Sequence, residues 1–125
     1  MVAGSRGMTG AASLASLAAL RMGAGIVTLA CPASLNDILE VKLTEVMTLP
    51  LEDKGCGYLT LDNLAELLQK SADYDLLLIG PGLGRQATTG ELVRALVTKV
   101  KKPGVLDADG IYAFREQGDL LANCN

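Results

Sequence analysis

Three times along this chain an apolar run passes directly into a loop of glycine or aspartate, and that repeated transition restricts the fold more than any other feature. Residues 1–3 enter Gly4-Ser5-Arg6-Gly7-Met8-Thr9-Gly10-Ala11-Ala12. Leu76-Leu77-Leu78-Ile79 enters Gly80-Pro81-Gly82-Leu83-Gly84-Arg85, and Val105-Leu106 enters Asp107-Ala108-Asp109-Gly110. Short apolar runs bounded by such turn residues read as buried strands. Helical patterns lie between them, and strands alternating with helices are joined by right-handed crossovers into a parallel sheet. The expectation is therefore an α/β unit with a mainly parallel sheet and helices on both faces. In such sheets ligands bind beyond the carboxyl ends of the strands, and all three loops fall on that edge.

The remaining elements follow from local pattern. An Ala/Leu helix is expected over 9–22 with Gly23 as its stop, then a strand over 26–30. A short helix opens near Pro32 with Ser34 as its cap and Leu35, Ile38 and Leu39 on one face, followed by a strand over 45–49. The stretch 50–58 reads as an exposed loop in which Lys54 is a solvated charge. Thr60 is expected to cap a helix whose buried face is Leu61, Leu64, Ala65 and Leu68. Thr88 or Thr89 starts another that buries Leu92, Val93, Leu96, Val97 and Val100 and ends at Pro103, with Lys99, Lys101 and Lys102 near its negative end.

Composition narrows the chemistry. Half of the 125 residues are hydrophobic but only 3% are aromatic, so the core is expected to be close-packed Ala, Leu, Val and Ile. A net charge of −3, with no Trp, supplies neither a basic stripe nor stacking platforms for nucleic acid. The absence of histidine excludes His-dependent triads and the usual zinc sites within this chain. Cys31, Cys56 and Cys124 are widely spaced and odd in number, which argues for reduced thiols rather than a disulfide framework. Arg6 followed by the apolar stretch 11–20 superficially resembles a leader ending at Cys31, but Arg21 interrupts it and Gly23 and Gly25 fit a helix stop. No segment reaches the ~20 apolar residues of a membrane span, and a cytoplasmic protein is expected.

Taken in order, G-S-R-G-M-T-G-A-A (4–12), A-A-L-R-M-G-A-G-I-V-T-L-A (18–30), E-V-M-T-L-P (45–50), L-I-G-P-G-L-G-R (78–85) and V-L-D-A-D-G (105–110) resemble the NAD(P)H-hydrate dehydratase family. The resemblance runs along essentially the whole chain. It implies a three-layer ribokinase-like fold and a hydro-lyase that restores NADH or NADPH from its hydrate, using ADP or ATP with Mg2+. In that family the nucleotide is thought to phosphorylate the hydroxyl of the hydrate, so that phosphate leaves in its place. Carried over by position, Ala11 and Gly82 match residues that contact the hydrated nicotinamide nucleotide. Gly10 and Gly84 are neighbours expected to shape the same cleft, and Asp107 is expected to orient a ribose, a water or magnesium, or else to cap the helix that follows it.

The resemblance also implies parts that this sequence does not contain: a T-P-H segment, a lysine-containing nucleotide loop and a G-T-G-D motif bearing the presumed catalytic aspartate. Residues 1–125 are accordingly expected to be the N-terminal portion of one domain, truncated, holding mainly the substrate-side half of the site, without catalytic residues and inactive alone. Two alternatives stay open: a ribokinase-like kinase of a small alcohol, and a non-catalytic fragment that self-associates through an open sheet edge. Expected partners are small nucleotide substrates and further copies of the chain, with neither nucleic acid nor membrane.

Overall fold

The computed structural model describes residues 1–123, in the order α1 (Thr9–Arg21), β1 (Thr28–Pro32), α2 (Asn36–Lys42), β2 (Met47–Leu51), α3 (Leu64–Ser71), β3 (Leu77–Ile79), α4 (Ala87–Lys99), β4 (Gly104–Leu106) and α5 (Asp109–Tyr112). Short 3-10 turns cover Ala33–Leu35, Leu61–Asn63 and Gly118–Asn123. The centre of the sheet is the start of the chain. Val2 bridges Ala30 on one side and Ile79 on the other, both parallel. Its amide donates to Leu78 O at 2.8 Å and its carbonyl accepts from Gly80 N at 3.1 Å. β2 lies outside β1, with Ala30 opposite Leu49, and β4 lies outside β3, with Leu78 opposite Val105. The order is thus β2, β1, residues 1–3, β3, β4, every neighbour parallel.

Side chains alternate across this sheet and divide the core in two. Ala3, Leu29 and Cys31 pack with Ala12 of α1 and Leu35, Leu39 and Leu43 around α2. Val2, Ala30, Leu77 and Ile79 pack on the opposite face with Leu67 of α3 and Leu92, Val93 and Leu96 of α4. Small residues bring α1 close to the sheet: Ala12, Ser13 and Ser16 are its buried positions. Ser13 Oγ donates back to Thr9 O at 2.9 Å, so its polarity is met within the helix. The first crossovers run outward from residues 1–3 in one direction and the later ones in the other. Right-handed crossovers therefore put α1 and α2 on one face and α3 and α4 on the other.

The expected elements all form, with shifted bounds and faces. β1 begins two residues later than the pattern predicts, because 23–26 is spent turning out of α1: Gly23 N and Ala24 N donate to Leu20 O and Ala19 O. β2 also begins two residues later, with Met47 opposite Thr28 at the start of the pairing. Pro50 sits within β2, where it is tolerated because that strand lies at the outside of the described sheet. Ser34 does not cap a helix. It lies in a 3-10 turn, its side chain turned to Asp53, and α2 buries Leu39, between Leu35 and Leu43, while Ile38 is exposed. The residues after Thr60 also start as a 3-10 turn, whose tighter winding rotates the face. Leu67 becomes the buried position of α3, Leu64 and Leu68 pack beside it against the core, and Leu61 and Ala65 are exposed. α4 starts at Ala87 and buries Leu92, Val93 and Leu96, with Val97 and Val100 partly buried. Lys54 is exposed, as expected. Among the described residues no helix is long and apolar enough to cross a membrane.

Candidate functional site

Residues 1–3 and β3 are neighbours, but the loops that follow them lead to helices on opposite faces. This is the geometry that opens a crevice at the carboxyl edge of a parallel sheet. The first loop, 4–8, and the second, 80–86, meet there. Gly4 N donates to Pro81 O at 2.9 Å, and the buried Ser5 Oγ donates to Gly82 O at 2.8 Å.

The sequence-derived positions fall unequally around this junction. Ala11 and Gly82 are in direct apposition although 71 residues separate them. A Cβ added to Gly82 would stand 3.1 Å from Ala11 Cβ and 2.8 Å from Met8 O, and Gly82 has φ +65. Only glycine fits there without displacing the first turn of α1. Gly10, in that same turn, is exposed, and a Cβ on it would meet nothing within 4 Å. No side chain caps the turn; Met8 occupies the cap position.

Gly84 faces the other way, toward α5, with its amide donating to Asp109 Oδ2 at 3.0 Å. Asp107 is exposed at the end of β4 and does not cap α5. Ala108 holds that place, with φ 48 and no side-chain cap bond. Instead the backbone of Asp107 is built into the edge: its amide donates to Ile79 O at 3.0 Å and its carbonyl accepts from Gly110 N at 2.8 Å. A Cβ on Gly80 would stand 1.8 Å from that carbonyl, so the second and third loops are as tightly joined as the first and second.

Two features escaped the sequence reading. One is a cavity of about 230 Å³ on the α4–α5 side, lined among others by Gly84, Arg85, Arg94, Asp109 and Tyr112. Arg85 Nε pairs with Asp109 Oδ1 at 3.1 Å, and the guanidinium groups of Arg85 and Arg115 lie 4.3 and 4.4 Å from the centre of the Tyr112 ring. The other is Asp53, only 4% exposed. Its carboxylate accepts from Ser34 Oγ at 2.6 Å, Ser34 N at 3.1 Å and Gly57 N at 2.6 Å. Burial by itself would raise this carboxyl, but the bonds from the Ser34 hydroxyl and the Gly57, Ser34 and Gly55 amides outweigh it and hold the group below its ordinary value. The loop so anchored reaches the first glycine loop, since Arg6 N donates to Gly57 O at 2.7 Å and Arg6 Nη2 to Gly55 O at 2.8 Å. The stretch 50–58 is therefore a strap across the crevice end rather than a free loop.

Among the described residues no group of three or more His, Cys, Asp and Glu is arranged to hold an ion. Asp109 already accepts from Gly84 and Arg85. Asp107 is an exposed single carboxylate, the kind of ligand that could hold Mg2+ only together with waters and substrate phosphates.

Comparison with known proteins places the chain in a family. The sequence profile of the family described as NAD(P)H-hydrate dehydratase matches residues 1–124. The bifunctional NAD(P)H-hydrate repair enzyme Nnr of Moorella thermoacetica is 47% identical over 120 residues, which is 96% of this chain and 23% of that protein. The ADP-dependent (S)-NAD(P)H-hydrate dehydratase of Listeria monocytogenes is 30% identical, covering 91% of this chain and 38% of its own length. The ATP-dependent (S)-NAD(P)H-hydrate dehydratase of Aedes aegypti is 32% identical, with 97% and 36% covered. The chain thus spans about a quarter to two fifths of these relatives. Among solved structures, a ribokinase-like superfamily protein from Enterococcus faecalis superposes with a TM-score of 0.74 at 23% identity, over 94% of this chain and 39% of that one. That likeness is one of fold.

Proposed function

This chain belongs to the NAD(P)H-hydrate dehydratase family, and from that premise we propose that it carries the substrate-side part of a site at which ADP or ATP drives the dehydration of NAD(P)H hydrate to NAD(P)H. The observation that supports the reading most is the apposition of Ala11 with Gly82 at the point where the sheet's crossovers reverse direction. We assign Ala11, Gly82 and Gly10 to the wall that receives the hydrated nicotinamide, with Gly84 and Asp107 on its flank. Backbone N–H groups and small side chains suit this task, because they let a flat, partly saturated ring approach closely without introducing competing charge.

The residues of this chain bind and orient. None of 1–123 is assigned as a catalytic acid or base; in the proposed reaction the hydrate hydroxyl loses its proton as it takes the terminal phosphoryl group of ADP or ATP, releasing AMP or ADP, and phosphate then leaves as the C–O bond breaks and the neighbouring ring carbon gives up a proton to form the C=C bond. The relatives named for ADP and for ATP dependence both support a nucleotide co-substrate. A cytoplasmic setting is part of the proposal, supported by the free thiols of Cys31 and Cys56. So is a homo-oligomer, supported by β4 lying at the outside of the described sheet with Val105 exposed.

The test is calorimetric titration of the purified chain with NADPH hydrate and separately with ADP, while the absorbance of reduced nicotinamide reports turnover. Hydrate binding without turnover supports a substrate-side role. Turnover by this chain would show that a catalytic group lies within it, and absence of hydrate binding would remove the assignment of the crevice.

A further inference from the structure

Dinucleotide hydrates carry phosphate as well as a nicotinamide ring, and the carboxyl edge of the sheet offers few cations to meet it. Arg85 is engaged by Asp109, and Lys54 by Asp62 at 3.3 Å. Arg6 and Lys42 differ from both. Neither has a carboxylate within 4 Å among the described residues, and each is tied to the first glycine loop or the helix it feeds. Lys42, at the end of α2, donates from Nζ to Thr9 Oγ1 at 3.3 Å, at the start of α1. Arg6 lies three residues before Thr9, so their Cα atoms are at most about 11 Å apart.

Arg6 is also held from behind. The Asp53 carboxylate fixes Gly57, whose carbonyl accepts the Arg6 amide, and the Gly55 carbonyl accepts from Nη2. A guanidinium has five N–H donors in a fixed fork, and the contacts described commit one of them. An exposed cation restrained by backbone carbonyls, and not neutralised by a carboxylate, is preorganised for an anion.

We propose that Arg6 and Lys42 together bind a phosphate group of the nicotinamide dinucleotide hydrate, with the Asp53 strap as the positioning element that aims Arg6. The proposal rests on the functional reading above and adds the residues that distinguish a phosphorylated ligand from the nicotinamide alone. Arg6 contributes a bidentate contact and Lys42 a point charge, so the two are not interchangeable.

The test titrates NADPH hydrate and inorganic pyrophosphate separately into the wild-type chain and into Arg6→Gln, Arg6→Lys, Lys42→Gln and Asp53→Asn, with circular dichroism to verify folding. Arg21→Gln is the control for net charge. It removes one cation from the far end of α1, roughly 18 Å away at 1.5 Å per residue. Arg6→Gln and Lys42→Gln are each expected to weaken NADPH hydrate binding by about tenfold or more, the scale of a lost charge-assisted hydrogen bond. Arg6→Lys should recover part of that loss, Asp53→Asn should follow Arg6→Gln in direction, and Arg21→Gln should stay within about twofold. Equal affinities for wild type, Arg6→Gln and Lys42→Gln would overturn the proposal and leave the hydrate site standing. If the wild-type chain binds no hydrate, the functional reading fails, and pyrophosphate decides separately: binding lost in Arg6→Gln and Lys42→Gln sustains the anion site, and no pyrophosphate binding overturns it.

Discussion

Replacing Gly82 by alanine tests the junction of the two glycine loops at a single atom. The new Cβ would meet Met8 O at 2.8 Å, Met8 Cβ at 3.0 Å and Ala11 Cβ at 3.1 Å, on a residue whose φ is +65. Holding a non-glycine residue in the left-handed region costs about 1–2 kcal/mol. Overpacking a tight junction adds about 1–3 kcal/mol. Alanine's smaller unfolded-state entropy returns about 0.4–1 kcal/mol. The net expectation is a loss of about 2–4 kcal/mol. With a urea m-value of about 2 kcal/mol/M, the unfolding midpoint should fall by about 1–2 M. Gly10→Ala is the matched comparison, because it lies in the first turn of α1 beside Ala11, with open space around it. It should be neutral or stabilising by up to about 1 kcal/mol, since alanine is the better helix former. Urea unfolding followed by far-ultraviolet circular dichroism reads both. A Gly82→Ala midpoint within about 0.3 M of wild type would refute the reasoning, as would a Gly10→Ala loss of equal size.

Other perturbations have equally definite outcomes. Asp53→Asn turns a hydrogen-bonded buried carboxylate into an amide whose NH2 cannot accept, so a loss of about 2 kcal/mol is expected, read as a Tm lower by roughly 10 °C. Because the folded-state value of Asp53 is depressed, its contribution is fully present above the unfolded value near 4 and is lost as pH falls through the folded one. Urea midpoints measured from pH 6 down to pH 2 should therefore fall less steeply below about pH 4 in Asp53→Asn than in wild type. Burial, and then the Glu40 and Asp53 charges, push the Cys31 thiol up to about 11, whereas Cys56 is partly exposed. Iodoacetamide at pH 8 followed by peptide mapping should find Cys56 modified well before Cys31, and equal rates would contradict the placement. Lys54→Ala should change stability by less than about 0.5 kcal/mol, because its pairing with Asp62 is solvent-exposed.

The layered fold was readable from the sequence because its signals are local. Apolar runs ending in glycine, and helices of the right length between them, leave little freedom in architecture. Strand bounds were less readable, since residues 23–26 fit either a helix exit or the start of β1, and only backbone bonds formed in three dimensions decide between them. The face of α3 is legible only in part: Leu64 and Leu68 pack against the core as the period predicts, but Leu67 is the buried position and Leu61 and Ala65 are exposed, because a 3-10 turn precedes the helix and sequence period alone does not show it. The candidate site divides in the same way. Its glycines announce themselves, but Asp53 looks like one more loop aspartate until the fold brings Ser34, 19 residues earlier in the chain, within 2.6 Å. Cys124 lies outside the described residues, and its expected reduced state has no structural counterpart here.

The central claim is that the first turn of α1 and the second glycine loop form one wall of a hydrate-binding crevice. The most direct measurement is the change in backbone amide NMR signals of the 15N-labelled chain as NADPH hydrate is added. The account predicts the largest saturable shifts at Gly10, Ala11 and Gly82, with smaller ones at Gly84 and Asp107. Shifts centred instead on Arg94, Tyr112 and the α4–α5 cavity, or none at all, would contradict it.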